Sequence, residues 1–465
     1  MTDATALPRL VIVSNRGPYQ LHATRQGLRR EKSVGGLVTS VLPMLEQVGG
    51  TWIAWGEPAG RYPVPAQQPR LHLRYLSLSA EQVQGHYHGF SNGALWPLCH
   101  YFLGRVHYDP AQWHVYQQVN ELFAEAVDRE AGANDLIWVH DYQLALTPQA
   151  IRRARPAARL LFFWHIPFPA VEIFRTLPWR KEVLAGLLAC DLIGFHIPEY
   201  AQNFIEAAVD LLGAAYDGRC LAYAGRQIRV IARPIGIDFA AVDRAVRAVR
   251  LKDRARALRQ SLGEPKLILG VERMDYTKGV LERLLAIERL LERRPEWVGR
   301  LTLIQIVTPS RTEVGAYRDK KREIDEAVGR INGRFGDALW APIRYLYRAV
   351  SLPELLAYYS ASDIALVTPL RDGLNLVAKE YVASRVNDDG VLILSEFAGV
   401  AQQLPEALLT NPYSADDMAA ALEQALQMPV DEQQRRMRPM RERVKTYAIQ
   451  WWARQFLGEI GRQPC

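Results

Sequence analysis

A two-domain α/β protein, each domain a doubly wound parallel sheet, is what this sequence predicts. Three observations carry the prediction. Short β-rich runs alternate with helical stretches through both halves of the chain, a Pro–Gly turn interrupts the rhythm near its middle, and 465 residues are too many for one ordinary core. In the first half the strands are Leu10–Ser14, Thr51–Trp55, Leu136–His140, Arg159–His165, Leu192–Phe195 and Arg229–Ile231, with helices over Trp113–Ala131 and Pro198–Leu212. The second half repeats the pattern with Lys266–Val271, Leu301–Val307, Ile343–Tyr345, Ile364–Thr368 and Val391–Ser395. Arg233-Pro234-Ile235-Gly236-Ile237-Asp238 ends a strand in a turn, so the domains are expected at 1–238 and 239–448. An Arg-rich helix over about Ala240–Leu262 opens the second domain and reads as a solvated face. At the end of the chain, Trp451, Trp452 and Phe456 share a helical period, and a helix over about 449–465 is expected to pack back on the first domain.

Composition narrows the function. Hydrophobic residues at 49% and charged residues at 23% exclude a disordered chain. A net charge of +7 suits an anionic partner. The basic residues are spread along the chain, which excludes a nucleic-acid tail and favours a small phosphorylated ligand. No apolar stretch approaches ~20 residues, so no membrane span is expected. The N-terminus runs directly into a strand pattern, and the expected location is cytoplasmic. Cys99, Cys190, Cys220 and Cys465 show no C-x-x-C spacing, and no His pair has a ligand spacing. Buried thiols are expected, with no zinc site, disulfide framework or other metal centre.

Ligands of open parallel sheets sit beyond the carboxyl ends of the strands, and the polar motifs fall there. Arg273 and Lys278, in Val271-Glu272-Arg273-Met274-Asp275-Tyr276-Thr277-Lys278-Gly279, follow a strand directly. Two cations at a strand end suit a diphosphate, Arg as a planar fork and Lys as a mobile point charge. The plain alternative is a surface loop with an Arg–Asp pair. Thr368-Pro369-Leu370-Arg371-Asp372-Gly373-Leu374-Asn375-Leu376-Val377-Ala378-Lys379-Glu380 runs from strand through a Gly turn into a helix. The N–H groups of that helix start favour an anion. Asp372 can accept from sugar hydroxyls, and Glu380, about two turns into the helix, from a ribose. Taken alone, Asp372 reads as the helix N-cap and Glu380 as a solvated residue.

The first half contributes Ser14-Asn15-Arg16 at a strand end, then a polar loop over Gln20–Ser33, then Gly35-Gly36-Leu37 opening a helix. Arg16 can grip a phosphate, but the unit is neither a G-x-G-x-x-G nor a P-loop. Tyr87 and Trp96 can stack on a sugar, although core packing is the commoner use of such rings. Asp141 and His165 each close a strand; Asp141 can bond an acceptor hydroxyl and His165 a transferred sugar. Arg311, in Thr308-Pro309-Ser310-Arg311, is a further phosphate ligand candidate.

The order of these motifs is more specific than any one of them. The set SNR, GGL, HYHGFSNGALWP, VHDYQL, HIPFPAVEIFRTLPW, ERMDYTKG, TPSR, GRINGRFG and TPLRDGLNLVAKEYV resembles the trehalose-6-phosphate synthase family, a retaining glycosyltransferase family, over nearly the whole chain. The resemblance implies a GT-B fold, two Rossmann-like domains facing across a cleft. It implies transfer of glucose from UDP-glucose (or ADP- or GDP-glucose) to glucose 6-phosphate, with no cofactor or essential metal. A homodimer or homotetramer is implied as well. By the same resemblance Arg273 and Lys278 hold the donor diphosphate, with the N–H groups of Leu376 and Val377. Asp372 and the backbone at Gly373, Leu374 and Asn375 hold donor glucose, Glu380 the ribose, and Tyr347–Ser351 line the base. Gly36 approaches the donor and His165 lies beside its glucose. Arg16, Tyr87, Trp96, Asp141 and Arg311 form the acceptor pocket, with Arg16, Tyr87 and Arg311 around the phosphate.

Two alternatives accompany this reading. LLACDLIGFHIPEYAQNF, LLERRPE, VLILSEFAG and the Arg30–Ser33 run are closer to glucosylglycerol-phosphate synthases, which use ADP-glucose and glycerol 3-phosphate. Asn15-Arg16, Ser91-Asn92 and Arg311 fit the trehalose-phosphate pocket better, and that product ranks first. A non-catalytic sugar-phosphate sensor would have lost donor-site residues, yet Arg273, Lys278, Asp372 and Glu380 are all present.

Overall fold

The computed structural model describes residues 9–24, 27–32, 38, 41–42, 45–46, 48–64, 71–310 and 315–459. The chain divides into two compact units, Met1–Ile235 with Trp452–Cys465, and Gly236–Trp451. The first division falls just ahead of the Gly236-Ile237-Asp238 stretch rather than after it.

In the first unit the strands are β1 (Leu10–Arg16), β2 (Tyr19–Thr24), β3 (Gly27–Lys32), β4 (Gly50–Trp55), β5 (Gly60–Pro63), β6 (Leu71–Leu76), β7 (Leu136–His140), β8 (Arg159–Phe163), β9 (Leu192–Phe195), β10 (Ala215–Tyr216), β11 (Cys220–Tyr223) and β12 (Arg226–Ala232). Ten of them form one sheet in the order β10-β11-β12-β9-β8-β7-β1-β4-β6-β5. Its centre, from β12 to β6, is parallel, and antiparallel strands flank both edges. The chain builds outward from β1 through β4 to β6, then returns to β7 on the other side of β1. That reversal makes β1/β7 the switch point of the sheet, where doubly wound folds bind ligands. Arg16 ends one of these strands and His140, followed by Asp141, ends the other.

Several elements depart from the sequence expectation. Gln20–Ser33 is not a loop: most of it is the β2–β3 hairpin, with Leu21 opposite Arg30 and His22 opposite Arg29. A two-stranded ribbon outside the main sheet needs no continuous apolar face, so its charges concealed it. Val83–Leu95 is a π-helix. Its glycines let it lie against the helix Pro110–Glu130, for a Cβ on Gly85 would come within 2.8 Å of Val115 and one on Gly89 within 2.6 Å of Gln112. The helix Pro110–Glu130 starts ahead of Trp113 because Asp109 caps it, its carboxylate accepting from the Ala111 N–H at 2.8 Å. Cys220 is disulfide-bonded, whereas Cys99 and Cys190 are buried free thiols. Spacing along the chain does not record such pairing; Cys465 lies outside the described residues.

Trp52, Trp138 and Trp164 are fully buried in this unit. The helix Ile449–Gly458 brings Trp452 and Phe456 against Trp138, ring centroids 5.2 and 4.8 Å away. Trp452 Nε1 donates to the Arg233 carbonyl at 3.0 Å, and Arg229 and Arg233 both donate to the Glu459 carboxylate.

The second unit is a six-stranded parallel sheet of β13 (Lys266–Arg273), β14 (Leu301–Thr308), β15 (Ile343–Tyr347), β16 (Ile364–Val367), β17 (Val391–Ser395) and β18 (Leu408–Thr410), ordered β15-β14-β13-β16-β17-β18. Here the reversal lies between β13 and β16, so Arg273 and Thr368 mark the switch point. The helix expected over Ala240–Leu262 is two, Phe239–Arg247 and Val249–Ser261. They break at Ala248, whose ψ of 136° leaves the helical region. Among the described residues no helix is long and apolar enough to cross a membrane.

Candidate active site

At the switch point of the second unit, β13 runs two residues further than its apolar pattern, so Arg273 is its last residue and exposed. A 3-10 turn over Tyr276–Lys278 follows. Asp275 holds it, accepting from the Thr277 N–H at 3.0 Å and from the Thr277 hydroxyl at 2.9 Å. Gly279 then takes φ 65°, the left-handed conformation that favours glycine, and a Cβ there would sit 2.2 Å from the Thr368 carbonyl. Lys278 is buried, and its ammonium donates to Asp372 Oδ2 at 2.6 Å. The two groups assigned from sequence to diphosphate and sugar are therefore bonded to each other here.

Asp372 is not the helix cap. Asn375 is: its Oδ1 accepts from the Ala378 N–H at 3.1 Å at the start of the helix Leu376–Ser384, while its Nδ2 donates to Asp372 Oδ2 at 3.1 Å. That frees Asp372 to face Lys278. The turn carrying Asp372 is pinned from behind. The Gly399 N–H donates to the Asp372 carbonyl at 3.1 Å and the Val400 N–H to the Leu374 carbonyl at 2.9 Å. A Cβ on Gly399 would lie 2.2 Å from the Gly373 carbonyl. Leu376 and Val377 occupy the first turn, whose N–H groups have no intrahelical acceptor. Glu380 is not a solvated residue either. The fully buried Tyr359 donates its hydroxyl to Glu380 Oε2 at 3.0 Å, and burial pushes the carboxyl up to about 7. Tyr347 ends β15, and Arg348 beyond it pairs with Glu354.

In the first unit the Arg16 guanidinium lies over the Trp55 ring, 3.7 Å from its centroid, and 5.6 Å from that of Tyr87. Trp55 Nε1 donates to Asn15 Oδ1 at 3.0 Å, and the Ser14 hydroxyl, donating to the Arg16 carbonyl at 2.8 Å, accepts from Trp52 Nε1. Trp55 is the residue that sequence reading missed; its place opposite Arg16 in the β1–β4 register is the signal that locates it. Tyr87 is half-buried on the π-helix. Trp96 is buried, its ring 4.1 Å from that of His100 and 5.9 Å from that of Tyr142.

Asp141 has φ 73°, an uncommon backbone for a non-glycine residue and one that clusters at functional sites. Its Oδ1 accepts from the N–H groups of Tyr142 at 3.0 Å and His165 at 3.1 Å, so the ends of β7 and β8 are joined through it. His165 Nε2 lies 3.1 Å from His140 Nδ1. Burial drives the His165 imidazole down to about 3 and His140 well below its usual value, with the neighbouring histidine adding to the latter. Both rings are neutral at pH 7. Gly36 and Arg311 lie outside the described residues. Among those described, no group of three or more His, Cys, Asp or Glu is placed to hold a metal ion.

Each unit thus collects its polar residues at its own switch point. The family model for Glycosyltransferase family 20 matches residues 8–462. The chain belongs to glycosyltransferase family 20. It is 44% identical over 464 residues to a bifunctional trehalose-6-phosphate synthase/phosphatase of Thermoproteus tenax, covering 97% of this chain but 63% of that protein. To a glucosylglycerol-phosphate synthase of Picosynechococcus sp. it is 40% identical, covering 98% of this chain and 99% of the relative. Among solved structures, an α,α-trehalose-phosphate synthase (UDP-forming) from Burkholderia xenovorans in complex with glucose-6-phosphate superposes with a TM-score of 0.90 at 34% identity, covering 98% and 100% of the two chains. This family-20 chain is therefore a glycosyltransferase with the two-sheet architecture of the GT-B class, and the sequence expectation of fold and family holds.

Proposed function

We propose that the enzyme transfers glucose from a nucleotide-glucose, UDP-glucose first, to glucose 6-phosphate, giving α,α-trehalose 6-phosphate and the nucleoside diphosphate. The observation that carries this reading is the convergence at β13/β16 of Arg273, Lys278, Asp372 and a helix N-terminus. Cations and unpaired N–H groups at one strand end suit a diphosphate whose charge grows as the glycosidic bond breaks. The Lys278–Asp372 bond is shared or exchanged when that anion arrives, so the carboxylate becomes available to glucose hydroxyls. Glu380, when ionised, accepts from the ribose. Arg16, backed by Trp55, with Tyr87 and Arg311, takes the acceptor phosphate, and Gly36 approaches the donor. A relative crystallised with glucose-6-phosphate supports the acceptor, and its UDP-forming description supports the donor.

The bonding of the candidate acid–base groups bears on mechanism. Asp141 Oδ1 is already engaged by the N–H groups of Tyr142 and His165. Neutral His165 can hydrogen-bond a sugar hydroxyl but supplies no charge. The reading therefore gives neither residue the acceptor proton. The acceptor oxygen attacks the anomeric carbon on the face from which the diphosphate leaves, the carbon–oxygen bond to phosphate breaks, and the hydroxyl proton passes to the departing phosphate oxygen. Configuration is retained, and Arg273 and Lys278 stabilise the leaving charge. Removing either, as Arg273→Ala or Lys278→Ala, is expected to lower kcat about 100- to 1,000-fold, roughly 3–4 kcal/mol of barrier. Steady-state rates check this, and near-native turnover in either variant refutes the assignment.

A second reading, glycerol 3-phosphate as acceptor with ADP-glucose as donor, is favoured by the relative matched over 99% of its length. It keeps the same donor-side residues.

A further inference from the structure

Beneath the loop that carries Lys278 lies a fully buried arginine, Arg283, in the first turn of the helix Val280–Arg293. Its guanidinium makes four hydrogen bonds. Nη2 donates to the Lys278 carbonyl at 2.7 Å and to Glu272 Oε1 at 3.3 Å, Nε to the Thr368 hydroxyl at 3.0 Å, and Nη1 to Gln305 Oε1 at 3.3 Å. These partners stand on β13, β14, the turn after β13 and the residue after β16. One planar fork therefore ties the carboxyl ends of β13 and β16, on either side of the switch point, to the middle of β14. The space for it is built in, since a Cβ on Gly270 would come within 2.4 Å of Gln305 Oε1 and 3.0 Å of Arg283 Nη1. Gln305 is itself fixed, its Nε2 donating to the carbonyls of Gly270 and Ile306 at 3.2 Å each. The Leu370 N–H donates to the Thr277 carbonyl at 2.8 Å, closing the same two segments from the other side.

Burying a guanidinium is costly unless every donor direction is used, and a hydrophobic residue is often as good for stability alone. An arginine that directs three of its four bonds to Glu272, the Lys278 carbonyl and Thr368, in the segments that lead to Lys278 and Asp372, has a positional consequence. We infer that Arg283 is a positioning residue for glycosyl transfer: through the Lys278 carbonyl and Thr368 it fixes Lys278 relative to the Asp372 turn, and so sets how the donor diphosphate is gripped. The inference rests on the proposed role of Lys278. Lysine at this position retains the charge opposite Glu272 but not the planar fork, and it cannot reach all four partners.

The test is a double-mutant cycle of Arg283→Lys and Lys278→Ala, with donor and glucose 6-phosphate varied separately and melting temperature recorded. Arg283→Lys is expected to keep the fold and the acceptor KM while kcat/KM for the nucleotide-glucose falls about 100-fold, the scale of a small misplacement of a catalytic group. In the Lys278→Ala background the same substitution is expected to have little further effect. Near-native donor kcat/KM in Arg283→Lys overturns the inference, as do fully additive losses. Near-native turnover in Lys278→Ala alone defeats the donor-site reading and this inference with it, an outcome the single variant reports by itself. Should Arg283→Lys fail to fold, the pair Glu272→Gln/Arg283→Met, which removes both buried charges, is read instead. A folded pair with a selective donor defect supports the role. A folded pair with full activity, or failure of this variant as well, assigns Arg283 to stability alone.

Discussion

Glu380, proposed to hold the donor ribose, is a titrating group bonded by Tyr359. Burial raises the Glu380 carboxyl to about 7, and the Tyr359 hydroxyl opposes that rise by bonding the ionised form. Ribose hydroxyls donate to a carboxylate and gain little from a protonated acid. The ionised fraction grows as pH rises through about 7, so the donor KM is expected to fall across that interval. Tyr359→Phe removes the opposing bond, and its transition is expected at higher pH. Initial rates between about pH 6 and 8 report both; a donor KM that is flat in the native enzyme contradicts the assignment. Other residues of the site were only half legible. Arg273, Lys278 and Asp372 stand out because strand, loop and helix follow one another in the sequence. Trp55 did not, because an aromatic at a strand end usually packs in a core. Arg283 did not, because an arginine at an amphipathic helix start reads as solvated until the strands beneath it are in place.

Among the elements, the turn Asp372–Asn375 is held by backbone bonds to the Ala398–Val400 segment, and Gly399 is the residue that admits them. Gly399→Ala places a methyl 2.2 Å from the Gly373 carbonyl, backbone against backbone, so the turn must move. A donor kcat/KM lowered at least about 10-fold, with acceptor KM unchanged, is the expected outcome in steady-state assays. Equal losses toward both substrates contradict it. The same scale separates what the sequence displayed from what it hid. Apolar runs bounded by Gly and Pro placed the parallel strands at the sheet centres, because those runs are buried on both faces. The β2–β3 hairpin and the π-helix Val83–Leu95 went unread. The hairpin is rich in charge and stands outside the main sheet, and the π-helix differs from an α-helix by a hydrogen-bond shift that composition does not encode.

At the scale of the whole molecule, the chain's last described helix belongs with its first half. Trp452 and Phe456 fill the face of Trp138, and Gly194 makes room, since a Cβ there would lie 2.4 Å from Phe456. Trp452→Ala is expected to cost about 3–5 kcal/mol, the range for an emptied aromatic core position. Guanidinium unfolding followed by far-UV circular dichroism checks it, with separate transitions allowed for two units. A midpoint unchanged from native contradicts the packing described. The repeated topology, one switch point per sheet, was legible as rhythm, whereas the strand order that creates each switch point was not, because sequence spacing does not say on which side of β1 or β13 the next strand pairs.

The most direct test of the account is a rate matrix of UDP-, ADP- and GDP-glucose against glucose 6-phosphate and glycerol 3-phosphate, with the product's anomeric configuration read by NMR. Turnover is expected to be fastest with UDP-glucose and glucose 6-phosphate, giving a product that is α at both anomeric carbons. Turnover confined to ADP-glucose with glycerol 3-phosphate, or an inverted product, would contradict it.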